Sequence, residues 1–423
     1  MTNLYSYYLQ VLFLSFIVIN HLLEIYLSRR QLTKLQQNRD MVPVAFQDSL
    51  SLMDHQKAIA YASARINLSQ LRLLFDAGLL FYWFPFRGAE KLFLAIPDLG
   101  THREVIFLLL FSFIQMLINL PFSLYSTFSL EERFGFNRTT PKLYIVDRLK
   151  GLILGGLITV PLLYLVFFLY NSLGDWWWLA SFGLITVFQL ALVWLYPTFI
   201  APIFNKFHPL EGEELKSGIE KLVTNAGFEA KEVFVMDASK RSSHGNAYFT
   251  GFGKSKRVVF FDTLLKDLKT PEILAILAHE LGHLKLKHIP KSLVTSLILS
   301  FLGFWLMGVL SNQTWFYSGH FVRVYSPGIL LLLFTQAIPL YTFWITPISS
   351  WISRKREFEA DAYAASEVDA KYLISGLLNL YQKNASPVVT DKYYSGFYHS
   401  HPPALERIKH LRSLEIKSSE GLS

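Results

Sequence analysis

Residues 277–288 read LAHELGHLKLKH, and the His-Glu-x-x-His within them decides how the rest of the chain is read. On a helix, His279 and His283 lie four apart and project from one face, where two imidazoles can hold one Zn2+. Glu280 sits beside them and is poorly placed to be a third ligand in the same turn, so its carboxylate reads as the base that takes a proton from water. Val258 to Phe261 ahead of the motif read as a short buried strand, and Thr270-Pro271 then begins the helix. A chance match on an amphipathic helix is the bland alternative to so short a pattern. Residues 353–365, SRKREFEADAYAA, weigh against chance. There Glu357 and Asp361 stand one helical turn apart, which suits a Glu ligand completing a His2Glu site and an Asp bonding the free ring nitrogen of a ligating His. Glu359 competes for the ligand role but points to another face, leaving Glu357 the better spacing to Asp361. Lys285, Lys287 and His288 read as a solvated or membrane-facing helix end.

The surroundings of this water-using motif are those of a membrane protein. The 423 residues are 52% hydrophobic and 17% charged, with a mean hydropathy of +0.31, more apolar than a soluble chain of this size requires. Seven runs are candidates to cross a hydrocarbon core, which takes about 20 helical residues: 6–27, 70–86, 104–125, 151–172, 176–199, 292–311 and 328–349. No Lys or Arg precedes the first run, and Arg29 and Arg30 follow it. That order indicates an uncleaved helix with its N-terminus outside the cytosol. Basic residues crowd 28–69 and 126–150, so alternation puts 200–291 and the tail from 351 in the cytosol; Arg87, Lys91 and Arg103 run against it. The net charge of +8 comes with no nucleic-acid motif and no basic run interleaved with aromatics, so it is read as attraction to the inner leaflet, with the lipid bilayer rather than nucleic acid as partner. The chain has no cysteine, so a metal must be held by His and carboxylates.

Further blocks carry a resemblance. EERFGFNRTT (131–140), YPTFIAPIFNKFHPL (196–210), SKRSSHGNAYFTGFGKSKRVVFFDTLL (239–265) and HSHPPALERI (399–408) accompany the two helical motifs in order. With them the sequence resembles the type I CAAX prenyl proteases, integral-membrane zinc endopeptidases of the gluzincin class, over nearly its whole length. The resemblance implies a mainly α polytopic protein, with seven transmembrane helices forming a barrel around a large water-filled chamber and a zincin region with a short β-sheet on the cytosolic side. It suggests transmembrane helices one to five in 1–199, a catalytic region in 200–291, helices six and seven in 292–350, and a C-terminal catalytic region in 351–423. His21, Asp76, Gln115, Asn119, Gln189 and Gln336 fall inside apolar runs, as a polar interior requires.

The resemblance also implies roles that the residues alone do not show. Asn246 is a strand residue that holds the substrate backbone or the polarised carbonyl, His401 a donor to the oxyanion, and Arg407 the neighbour that orients or charges that corner. The implied substrate is a peptide or protein with a prenylated C-terminal Cys-a-a-X sequence, losing its last three residues in the endoplasmic reticulum membrane. Two other readings stay open. One is a broad-specificity quality-control protease in a bacterial inner membrane, like the related HtpX branch. The other is a non-enzymatic transporter or scaffold with a relict metal site, against which stand the intact motifs and the lack of two similar halves.

Overall fold

The computed structural model describes residues 2–250 and 255–420, so Gly251 to Lys254 of the 239–265 block lie outside the described residues. The apolar runs fold as helices because a backbone in hydrocarbon must satisfy its own hydrogen bonds. By length and composition, six helical stretches among the described residues can cross a membrane: Leu4–Gln37, Thr101–Phe134, Pro141–Ser172, Gly174–Phe204, His288–Leu310 and Pro327–Glu367. Several begin at the caps their sequences announce. Thr140 Oγ1 accepts from Leu143 N ahead of Pro141, and Ser326 Oγ accepts from Ile329 N ahead of Pro327. The run at 70–86 is helical as far as Trp83, within Leu52–Trp83, but its Arg72 and Asp76 form an ion pair at 3.5 Å and keep it below the hydropathy of the other six.

Outward-facing Val18, Leu22, Leu157, Val187, Ile298 and Leu302 stay exposed, as side chains facing lipid do. Two cores serve different ends of the helices. One gathers Phe13, Ile17, Phe84, Phe107, Tyr317, Ile329 and Leu333. The other gathers Ile219, Val223, Val258, Phe260, Leu277, Leu281, Leu373 and Leu411 around the motif helix, Thr270–Lys285.

Against that second core lies a four-stranded sheet of β1 (Phe207–Pro209), β2 (Glu229–Met236), β3 (Ala247–Thr250) and β4 (Ser255–Phe261), in the order β1-β2-β4-β3. β2 and β4 run parallel, with Val233 opposite Val258, while β3 pairs antiparallel with β4, with Ala247 opposite Phe260. Val258, Val259 and Phe260 are buried, so the expected strand is found inside β4.

The last membrane stretch does not stop at the apolar run. It continues as the carboxylate helix, Thr346–Glu367, which packs on the motif helix. The approach is close at Gly282, where an added Cβ would stand 3.0 Å from Ala360 Cα and 3.1 Å from its carbonyl oxygen. Only a residue without a Cβ lets the two backbones come so near. Gly282→Ala is therefore expected to push the helices apart by a few tenths of an ångström, overpacking that costs about 1–3 kcal/mol, and to lower zinc retention. Metal analysis of the purified variant checks this, with wild-type zinc content as the contrary result.

Candidate active site

The motif helix buries its apolar faces, and His279 is 6% exposed. The carboxylate helix brings Glu357, 4% exposed, to the same point. His279 Nε2 lies 3.3 Å from His283 Nε2 and 3.4 Å from Glu357 Oε2, and His283 Nε2 lies 3.3 Å from Glu357 Oε1. Each residue offers one ligand atom within 4.8 Å of the others.

The ring protons explain why this cluster calls for a cation. His279 Nδ1 is 2.9 Å from Asp361 Oδ1, and a carboxylate accepts, so we assign the proton to Nδ1. His283 Nδ1 is 3.0 Å from His288 Nδ1, and His288 Nε2 is 3.0 Å from Glu359 Oε2. Protons on His288 Nε2 and His283 Nδ1 satisfy both contacts in one direction, His283 to His288 to Glu359. Both Nε2 atoms then face each other as bare lone pairs beside a buried carboxylate. With metal–ligand distances of ~2.0–2.1 Å at tetrahedral angles, neighbouring ligands stand ~3.3–3.4 Å apart, which is the spacing observed. The donor set therefore fits Zn2+, and its chemistry, two nitrogens and one carboxylate oxygen, leaves a fourth position for water or substrate.

Arg407 is 6% exposed and clamps Asp361 from behind, with Nε 2.9 Å from Oδ2 and Nη2 at Oδ1. Burial opposes the charge on Arg407, and the bonds to Asp361 outweigh it, so the guanidinium titrates above the ordinary arginine range. Burial likewise pulls the His279 imidazole down, while the neighbouring carboxylates of Asp361 and Glu357 outweigh that and raise it to about 9. The negative field that would protonate an imidazole is the field that favours a metal cation.

Of the other expected residues, His401 is brought to the cluster, its Nδ1 2.7 Å from Glu357 Oε2 and its side chain 67% exposed. That contact does not give Glu357 Oε2 a directional hydrogen bond, and the buried atom is otherwise without one. Glu280 is half-buried next to His279. Asn246 is exposed just ahead of β3, its carbonyl accepting from Phe261 N and its Oδ1 from Ala247 N.

His288 corrects the reading of 285–288 as a solvated or membrane-facing helix end. Its side chain is 4% exposed. Lys287 takes a left-handed φ of 56°, so the chain turns sharply and the next helix, His288–Leu310, starts with the imidazole under His283. Lys285 and Lys287 do remain exposed, and Glu359, away from the metal, holds His288.

A multi-pass helical protein with a His2Glu donor set and an adjacent glutamate on an HExxH helix has the make-up of a membrane metallopeptidase. Comparison with known proteins agrees. The family model described as CAAX prenyl protease N-terminal, five membrane helices, matches residues 31–206, and that of peptidase family M48 matches 209–415. A CAAX prenyl protease 1 homolog of Arabidopsis thaliana is 34% identical over 93% of this chain and 95% of its own length. CAAX prenyl protease 1 of Saccharomyces cerevisiae is 36% identical over 91% of both chains. The crystal structure of S. mikatae Ste24p superposes with a TM-score of 0.89 at 33% identity, covering 95% of this chain and 99% of that one. The chain belongs to peptidase family M48, in its CAAX prenyl protease branch. It is thus a multi-pass membrane metalloendopeptidase acting on peptide or protein substrates, and the transporter or scaffold reading falls.

Partners of ligating histidines are typically worth ~10–100-fold in metal affinity. His288→Ala is expected to weaken zinc binding by about that factor in chelator competition, with helix content unchanged. Glu359→Gln keeps an accepting oxygen and should lose less. Unchanged affinity in His288→Ala would mean that packing alone holds His283.

Proposed function

We propose that this protein removes the C-terminal tripeptide of prenylated CAAX proteins by zinc-dependent hydrolysis, with His279, His283 and Glu357 as the ligands of one Zn2+. The observation that carries the metal assignment is the convergence of three ligand atoms at tetrahedral edge spacing. The substrate class rests on the names of the relatives, each a CAAX prenyl protease 1 or its homolog.

Bound zinc supplies Lewis acidity, lowering the pKa of a water and polarising the scissile carbonyl. The chain does the rest. Glu280 takes the proton from the attacking water and returns it to the leaving amine, base first and acid second. Asp361, held by Arg407, fixes the His279 ring, and His288 fixes that of His283. His401 donates to the developing oxyanion, whose charge one metal and one base leave partly uncompensated. The substrate adds as a strand to β3, one of the two edge strands of the sheet, with Asn246 at its start meeting the substrate backbone.

The site works inside a membrane protein because the helices enclose water. A cavity of about 430 Å3 lined by Asn20, His21, Asp76, Gln115, Asn119 and Gln336 supports a polar interior. Five of the six polar residues singled out within the apolar runs meet there; Gln189 does not line it. We infer in addition seven crossings around a large water-filled chamber, the catalytic segments 200–291 and 351–423 at its cytosolic end, the N-terminus outside, and residence in the endoplasmic reticulum membrane.

Cleavage of a farnesylated CAAX peptide and its unprenylated twin by detergent-purified protein tests the proposal. Strong preference for the farnesylated peptide is expected, and equal cleavage would point to general quality control of membrane proteins. Glu280→Gln should lower kcat by ~10²–10⁴-fold, the usual scale of a lost acid–base group, with zinc still bound. A zinc-loaded Glu280→Gln protein with full activity would overturn the mechanism.

A further inference from the structure

One cation near the site has no role in this mechanism. Arg65 lies on the helix Leu52–Trp83 with its side chain exposed, its guanidinium 5.5 Å from the Tyr61 ring centroid and no carboxylate paired with it among the described residues. Two other arginines are engaged. Arg407 is clamped by Asp361, and Arg354 donates to the carbonyls of Ser395 and His399.

Arg65 lines a cavity of about 530 Å3 whose lining also includes His401, the residue that touches Glu357. That lining contains Arg65, His399 and His401 and no Asp or Glu. An adjoining cavity of about 550 Å3 shares Arg65 and Ser69, adds Arg72 and Arg148, and again has no acidic residue in its lining. Negative charge in the site is concentrated at the metal, in Glu280, Glu357 and Asp361. The two linings that share Arg65 contain no acid of their own, although Asp76 pairs with Arg72 and Glu24 reaches Tyr398 from behind them.

A peptidase that removes a set number of residues can measure from the chain end as well as from the prenylated cysteine. Three residues in extended conformation reach at most ~10–11 Å, so the terminal carboxylate must be received about that far from the scissile bond. A cavity lined both by His401, which touches Glu357, and by a guanidinium that no carboxylate neutralises among the described residues can receive such a chain end. We infer that Arg65 receives the C-terminal carboxylate of the substrate and thereby sets the cut three residues from the end. The planar guanidinium suits a carboxylate, which it can bond through two parallel N–H groups. The inference rests on the CAAX reading above and names a subsite for its leaving tripeptide.

The test uses full-length protein and one farnesylated CAAX peptide made with either a free C-terminal carboxylate or a C-terminal amide. Wild type is expected to prefer the acid by about tenfold or more in kcat/KM, mostly through KM, as for a lost charge-assisted bond made in the ground state. In Arg65→Gln the acid-to-amide ratio should fall to near one, and Arg65→Lys should restore part of it. Zinc content equal to wild type in both variants controls for folding, and Arg148→Gln should keep the wild-type ratio. The subsite is overturned if Arg65→Gln keeps that ratio, if Arg148→Gln rather than Arg65→Gln abolishes it, or if wild type cleaves both peptides equally. Cleavage of neither by wild type would overturn the CAAX reading and the subsite with it.

Discussion

Three lone pairs pointed at one another are the constraint on which this structure turns. The Nε2 atoms of His279 and His283 and the carboxylate of Glu357 lie 3.3 to 3.4 Å apart, and both imidazoles have their other nitrogen committed to a partner. Such an arrangement is repulsive without a cation at its centre, so the fold must hold it together from outside. Two devices do so. Gly282 allows the motif and carboxylate helices to approach at Ala360, and Arg407 neutralises Asp361 in a region with little water to screen either charge.

The membrane helices are part of that support. Glu357 rides on the continuation of the last apolar stretch, so its position is tied to that of the helix starting at Pro327. Arg241 ties another pair of crossings to the sheet segment. It donates to both oxygens of Asp147, at 2.8 and 3.0 Å, and to Asn205 Oδ1 and the Phe204 carbonyl. Beside it, Asn137 forms a backbone bridge with Ser242, and the His244 ring stacks on Phe136 at 4.6 Å. The sequence blocks 131–140, 196–210 and 239–265, far apart in the chain, therefore form one structural joint.

Much of the site was legible because helical spacing is a local property. That His279 and His283 share one helix face, and Glu357 and Asp361 another, followed from the helical repeat, and the four side chains do meet. Arg407 and His401 were visible only through the family resemblance, since nothing local in a tail segment says which buried acid an arginine will meet. His288 was misread because the left-handed turn at Lys287, which reverses the chain under His283, has no glycine to announce it. Gly282 was passed over as one of two variable positions in the motif, although its missing Cβ sets the distance between the ligand-bearing helices. The run at 70–86 shows the limit of hydropathy. An Arg72–Asp76 pair inside an apolar stretch lowers the signal of a helix that the fold uses all the same.

The central claim, one Zn2+ held by two imidazoles and one carboxylate from two helices, is tested most directly by X-ray absorption at the zinc edge of the purified wild-type protein and of His283→Ala. One zinc per chain is expected in wild type, with light-atom ligands at ~2.0–2.1 Å and scattering from two imidazoles, reduced to one in the variant. A wild-type spectrum without two imidazoles, or one that His283→Ala leaves unchanged, would contradict it.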